Sequence, residues 1–169
     1  MRIFINPGHD IFRDPGAGNA RLGLNEADVV ARIGEAAGDY LADAGYHVRR
    51  AQHDDLTWLC DAANHWRADL FVSIHCNASD GNARGTETWY CSSAGERLAR
   101  CIQRQIVAGM GTIDRGVKAG NFYVLRATEM PAVLVETAFI DNDADARLLL
   151  DRDDDFAAAI ARGVSDFFL

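Results

Sequence analysis

Four residues of this 169-residue chain could together carry out metal-assisted hydrolysis: His9, Glu26, His75 and Glu136. Each lies at the edge of an element. His9 follows the apolar run Arg2–Ile5 through Asn6-Pro7-Gly8, and His75 follows Leu70–Ile74. Glu136 follows Ala132–Val135, and Glu26 opens a long amphipathic stretch. Two histidines and one carboxylate are a common catalytic zinc set that leaves a fourth position free. Zinc lowers the pKa of water there toward ~7. A further carboxylate can take the water's proton and pass it to a leaving amine. Glu136 suits that task, because a carboxylate closing an apolar strand is costly without a partner. Taken singly, each residue also has a plainer reading. A histidine at a strand end commonly only forms a hydrogen bond. Glu26 complements the positive end of a helix dipole, and Glu136 is equally a carboxylate held by backbone N–H groups. The separations, 17 residues from His9 to Glu26 and 49 from Glu26 to His75, form no short metal signature.

The other soft or basic ligands are weaker candidates. His47 lies in a short strand beside Arg49, His53 in a loop, and His65 beside Trp66 on a helix. Cys60, Cys76, Cys91 and Cys101 form no C-x-x-C pair and are expected to be free thiols. Cys76 neighbours His75, but successive strand residues face opposite sides, so a thiolate ligand is not expected.

The elements that must position these residues alternate along the chain. Strands are expected at Arg2–Ile5, Tyr46–Arg50, Leu70–His75, Thr86–Cys91 and Ala132–Val135. A helix is expected over Glu26–Ala44, where Val29, Ile33, Ala37 and Leu41 mark one face. Asn25 and Asp28 resemble a capping box at its start, and Gly45 suits its end. Further helices are expected over Leu56–Arg67, from Ser92 or Ser93 through Ala108, and near Ala144–Leu150 and Asp154–Phe168. Gly109, Gly111, Gly116 and Gly120 read as a turn-rich connection. The fold class is therefore α/β: a single domain over residues 1–169, with a mostly parallel twisted sheet and helices on both faces. In such sheets, ligands bind beyond the carboxyl ends of the strands, where the four candidate residues gather.

Composition narrows the partners. The net charge is −8 (17 basic against 25 acidic residues), which argues against a nucleic-acid-binding face and a polybasic membrane anchor. No stretch approaches the ~18 apolar residues of a membrane span. Met1–Pro7 has neither the basic nor the apolar region of a signal peptide. The expectation is cytoplasmic synthesis with action elsewhere, or an export signal lying outside this chain.

Five stretches, in order, make the sequence resemble one family. They are Asn6-Pro7-Gly8-His9-Asp10 with Asp14-Pro15-Gly16-Ala17 and Asn25-Glu26-Ala27; Ser73-Ile74-His75-Cys76-Asn77-Ala78; Gly85-Thr86-Glu87-Thr88-Trp89-Tyr90; Arg115-Gly116-Val117-Lys118 with Val124-Leu125-Arg126; and Met130 through Asn142. This pattern is similar to the zinc-dependent N-acetylmuramoyl-L-alanine amidases, found in autolysins, sporulation amidases and phage endolysins. The resemblance implies that His9, Glu26 and His75 bind Zn2+, and that Glu136 is the catalytic carboxylate. It implies a peptidoglycan or muropeptide substrate, with cleavage between the lactyl group of N-acetylmuramic acid and L-alanine. Glu87 and Asn77 are then candidates for substrate contact. The chain departs from the family pattern at Asn6-Pro7, Ala138 and Asp141 without losing a ligand. Members active in cell division carry an insertion after the strand matching Thr86–Tyr90. Here that strand runs quickly into a helix, so an open site is expected, and a monomer with it. Two alternatives are another zinc hydrolase, carboxypeptidase-like or deacetylase-like, and an inactive cell-wall-binding domain. The first is separated by its products on muropeptides against free peptides. The second requires loss of a ligand or of Glu136, and all four residues are present.

Overall fold

Alternation of β-branched strands with amphipathic helices produces a six-stranded sheet in the computed structural model, which describes all residues from Met1 to Leu169. The strands are β1 (Arg2–Pro7), β4 (His47–Arg50), β5 (Leu70–Asn77), β6 (Thr86–Tyr90), β7 (Asp114–Ala119) and β8 (Ala132–Phe139). Their order is β4-β1-β5-β8-β6-β7. The first four in that order are parallel; β6 joins β8 antiparallel, and β7 runs parallel to β6. A two-residue pair, β2 (Gly18–Asn19) with β3 (Leu24–Asn25), forms a small hairpin in the glycine-rich loop. The molecule is a single α/β domain with helices on both faces, as the alternation predicts.

The two faces are unequally covered. On one, α1 (Glu26–Asp43), α3 (Ser93–Met110), α5 (Asp143–Asp151) and α6 (Asp153–Phe167) pack over Ile3, Ile5, Val72, Ile74, Val133 and Val135, within a cluster of 29 buried residues. On the other, α2 (Leu56–His65) and the single turn α4 (Tyr123–Arg126) cover Phe4, Phe71, Ala132 and Leu134, within a cluster of 10. The period of two assigns these sets: Phe4 and Asn6, then Phe71, Ser73 and His75, then Leu134 and Glu136, all share the thinner face. Along it, polarity rises toward the carboxyl ends. Phe4 stacks on Phe71. Next come Asn6 and Ser73, whose hydroxyl donates to Asn6 Oδ1 at 2.8 Å. Beyond them stand His75 and Glu136.

Three expectations need correction. The connection marked by Gly116 contains β7, an edge strand whose Asp-Arg-Gly-Val-Lys sequence has too little apolar alternation to signal itself. β8 does not end at Val135 but continues to Phe139, through a bulge in β8 that takes three residues from Glu136 to Phe139 while β5 takes two from His75 to Asn77. Glu136 is therefore a residue within β8 rather than beyond it, and His75 lies within β5, as the expected strand Leu70–His75 has it. Asn25 occupies the N-cap of α1, but its side chain makes no cap bond. Pairing with Gly18 holds it extended, and the loop caps the helix instead: Glu26 N donates to Ala17 O at 2.8 Å, and Ala27 N to Pro15 O at 3.1 Å.

The packing of α3 on α6 yields a paired prediction. A Cβ at Gly163 would lie 2.5 Å from the Ile102 Cα, a backbone atom that cannot step aside. Gly163→Ala is expected to destabilise the fold by about 1–3 kcal/mol through overpacking. At Gly109, inside α3, the nearest atom to a new Cβ is Arg162 Nη2 at 3.6 Å. Gly109→Ala is expected to stabilise by about 0.5–1 kcal/mol, the usual glycine cost in a helix. Urea midpoints of both variants check the opposite signs.

Candidate metal centre

Glu26 is the middle of the site. It sits in the first turn of α1 yet is only 3% exposed. Its two oxygens face different histidines: Oε2 is 3.1 Å from His9 Nε2, and Oε1 is 3.0 Å from His75 Nδ1. Backbone N–H groups fix the carboxylate further, with Ala17 N donating to Oε2 at 3.0 Å and Cys76 N to Oε1 at 2.9 Å. One ligand atom from each of His9, Glu26 and His75 falls within 4.8 Å of the others. The three residues separated widely in sequence are thus brought together as a set able to hold a divalent metal.

Glycine makes this convergence possible. A Cβ at Gly8 would run into the His75 ring. At Gly16, which has φ +67°, a Cβ would lie 2.7 Å from both Glu26 Oε2 and His9 Cδ2. His9 itself takes φ +62°, a left-handed conformation that is uncommon outside glycine. Its ring is oriented by Asp14, whose Oδ2 accepts from Nδ1 at 2.7 Å. That bond fixes the tautomer and leaves Nε2 turned toward Glu26, an arrangement typical of ligand histidines. Gln52 secures the neighbouring backbone: its Nε2 donates to Gly8 O and to Ala27 O, both at 2.9 Å. One amide thus clasps the residue before His9 to the residue after Glu26.

The electrostatics follow from these contacts. In the metal-free protein, the hydrogen bond to Glu26 pushes His9 up to about 9, against the opposing effect of burial and with help from Asp14. Burial would raise Glu26, but its hydrogen bonds with His75 and His9 outweigh that and hold it down to about 2. Glu136 behaves oppositely. Burial pushes it up to about 7, with His75 pulling it partly back. Part of the residue is exposed, but Oε2 is sealed from solvent and has no hydrogen-bond partner. It is paired in register with His75 on one side and Glu87 on the other.

Glu87, expected as a substrate contact, is 3% exposed and carries its own partners: Arg115 Nε and Lys118 Nζ, each 2.6 Å from Oε2. Asn77, the other such candidate, donates from Nδ2 to Glu87 Oε1 at 3.2 Å. Asp141, a departure from the family pattern, accepts from Ser79 N and Gly81 N and shapes the loop after β5. Cys76 lies on the opposite face from His75, against Thr137, as the strand period requires. His47 and His65 are exposed, and His53 packs against Trp58, so none joins the centre. Asp14, Gln52, Arg115 and Lys118 were not singled out from residue type. Asp14 alone left a signal, standing five residues after His9 before a Pro-Gly turn.

The centre reaches the surface through its two histidines, whose side chains are 24% and 22% exposed, while Glu26 lies beneath them. Only Cys91 and Ser92 separate β6 from α3, so that connection carries no covering segment.

A sheet of this order carries at its carboxyl edge a His-Glu-His set able to hold a divalent metal. Residues 3–166 match the family model of N-acetylmuramoyl-L-alanine amidase, and the chain belongs to that family. It is 40% identical over 156 residues to N-acetylmuramoyl-L-alanine amidase LytC of Bacillus subtilis, covering 87% of this chain but 31% of that protein. It is 37% identical over 176 residues to the uncharacterised protein YqiI of the same organism, covering 98% and 84%. Among solved structures, it superposes on N-acetylmuramoyl-L-alanine amidase AmiC2 of Nostoc punctiforme with a TM-score of 0.94 at 31% identity, covering 99% of this chain and 97% of that one. The amidase from Clostridium difficile 630 gives 0.93 at 30% identity, covering 99% and 96%. The chain thus spans about a third of LytC and nearly all of the AmiC2 structure.

Two predictions come from the geometry. Asp14→Ala is expected to weaken binding of a divalent ion by about 10–100-fold, the usual cost of losing the group that orients a ligand histidine. Competition with a chromophoric chelator measures it. The second concerns pH. His9 is raised from 6.5 to about 9 in the metal-free fold. Its attraction to Glu26 therefore stabilises fully below about pH 6.5 and is lost as pH rises through about 9. The urea midpoint of chelator-treated protein is expected to fall across that window. A bound ion displaces the proton, so the metal-loaded protein is expected to lack this fall.

Proposed function

We propose that this chain hydrolyses the amide joining the lactyl group of N-acetylmuramic acid to the L-alanine of the peptidoglycan stem peptide, acting on the cell wall as a zinc-dependent monomer. The observation that carries this reading is the isolated Glu136 carboxyl, with Oε2 buried and unpartnered beside the His9-Glu26-His75 set. A carboxylate in that state, pushed up to about 7, is poised to take and return a proton near neutrality. Family membership and the names of the relatives support the choice of bond.

His9, Glu26 and His75 are the three protein ligands in this reading. Two imidazoles and one carboxylate with a further position open suit Zn2+. Zinc held there supplies Lewis-acid polarisation of the scissile carbonyl and activation of water. Glu136 removes the proton from the attacking water and delivers it to the L-alanine nitrogen, which is a poor leaving group until protonated. Asp14 keeps His9 in the required tautomer, and Glu26 is fixed by its two backbone donors.

Glu136→Gln is expected to retain one zinc per chain and the native fold while losing at least ~10²–10⁴-fold in kcat. His75→Ala is expected to lose both zinc and activity. Elemental analysis paired with chromatography of digested muropeptides measures both. Retention of most activity by zinc-loaded Glu136→Gln would overturn the assignment of Glu136. Release of a peptide whose N-terminus is not L-alanine would overturn the choice of bond.

A further inference from the structure

The outer edge of the sheet holds two cations that the proton transfers above do not use. Glu87 lies directly across from Glu136 in antiparallel register, so the two side chains share a face. β7, next to it, is bulged: Thr86 pairs with Asp114, but Thr88 pairs with Val117. Three residues of β7 thus advance where β6 advances two, and the extra one is Gly116 at φ +79°. In a regular strand, Arg115 and Lys118 would point to opposite faces, being three apart. The bulge returns both to the face of Glu87 and Glu136.

There they converge on one oxygen. Arg115 Nε and Lys118 Nζ both donate to Glu87 Oε2 at 2.6 Å. The Arg115 guanidinium lies 4.8 Å from the Phe139 ring centroid, and Lys118 Nζ lies 5.3 Å from that of Trp89. Two cations on one carboxylate leave one positive charge that Glu87 does not match, in a chain of net charge −8. The Glu87 side chain is 4% exposed, while each cation remains 34% exposed. Arg115 commits only Nε, so its terminal nitrogens are free to form a fork, and Lys118 keeps N–H groups to spare.

We propose that Arg115 and Lys118, held in place by Glu87, form a subsite for a carboxylate of the stem peptide on the L-alanine side of the scissile amide; this rests on the amidase reading above. β7 stands two strand spacings from β8, about 10 Å. An extended peptide advances ~3.3–3.6 Å per residue, so the acid recognised belongs to one of the first three stem residues. Glu87 is a positioning residue: it keeps two mutually repelling cations together before substrate arrives.

The test uses zinc-loaded enzyme and two pairs of muropeptides. Within each pair the members differ only in a free carboxylate or a carboxamide, at the second stem residue in one pair and the third in the other. The wild type is expected to favour the acid of at least one pair by about tenfold or more in kcat/KM, chiefly through KM, as charged hydrogen bonds of ordinary strength imply. Arg115→Gln and Lys118→Met are each expected to erode that preference, with kcat/KM falling several-fold more on the acid than on the amide. Equal cleavage of acid and amide in both pairs overturns the proposal. So does an equal loss on both substrates in the variants, which marks a purely structural ion pair. Should the wild type cleave no muropeptide, the amidase reading fails. Calorimetric binding of the corresponding acid and amide tripeptides then decides the subsite: tighter binding of the acid, lost in the variants, supports it, and equal binding overturns it.

Discussion

One buried carboxylate sets the terms for the catalytic end of this molecule. Glu26 must be ionised to hold two histidines, and it must be almost completely out of water to sit between them. A charge so placed is costly unless every lone pair is occupied. The surroundings satisfy that demand from four directions: His9, His75, and the backbone N–H groups of Ala17 and Cys76. Much of the local architecture follows. The glycine-rich loop must return to offer Ala17. The first turn of α1 must begin at the sheet's edge. Gly8 and Gly16 must lack side chains so that the rings can close in.

The sheet supplies the second requirement, a graded environment for the two glutamates. On the thinner face, aromatic packing gives way to the Asn6–Ser73 pair and then to His75 and Glu136. Glu136 stands at the boundary of that gradient. It is near enough to the apolar layer to be desolvated, and far enough along the strand to reach a substrate. Glu26 and Glu136 are chemically alike and share one site, yet they are driven to opposite ends of the carboxylate range. The difference is the number of donors each meets: four for Glu26, none for Glu136 Oε2.

The sequence made the main elements and the four central residues legible because both depend on local pattern. Short stretches rich in apolar residues marked β1, β5 and β8, and helical spacing marked α1. The residues His9, Glu26, His75 and Glu136 stood out because each follows or begins such a run. What escaped depended on pairing between distant segments. The extension of β8 to Phe139 runs through a bulge in β8 itself, which only its register with β5 reveals. The cap of α1 is built from loop carbonyls rather than from Asn25. β7 has no apolar stripe of its own and exists through its register with β6. Glu87 was legible only as a candidate substrate contact for the same reason: nothing near it in sequence announces Arg115 and Lys118, which reach it only after a residue is inserted into the strand.

That inserted residue has a bearing on how the molecule behaves in a crowd. β7 is an outer strand, and an outer strand offers free backbone groups to any passing chain. Here the kink at Gly116 spoils the regular spacing of those groups, and Asp114, Arg115 and Lys118 load the edge with charge. The opposite edge, β4, carries His47, Arg49 and Arg50 in four residues. Neither margin presents a smooth template on which a second copy could lengthen the sheet. The bulge that gathers Arg115 and Lys118 beside Glu87 is thus the same feature that breaks the regular outer edge of the sheet.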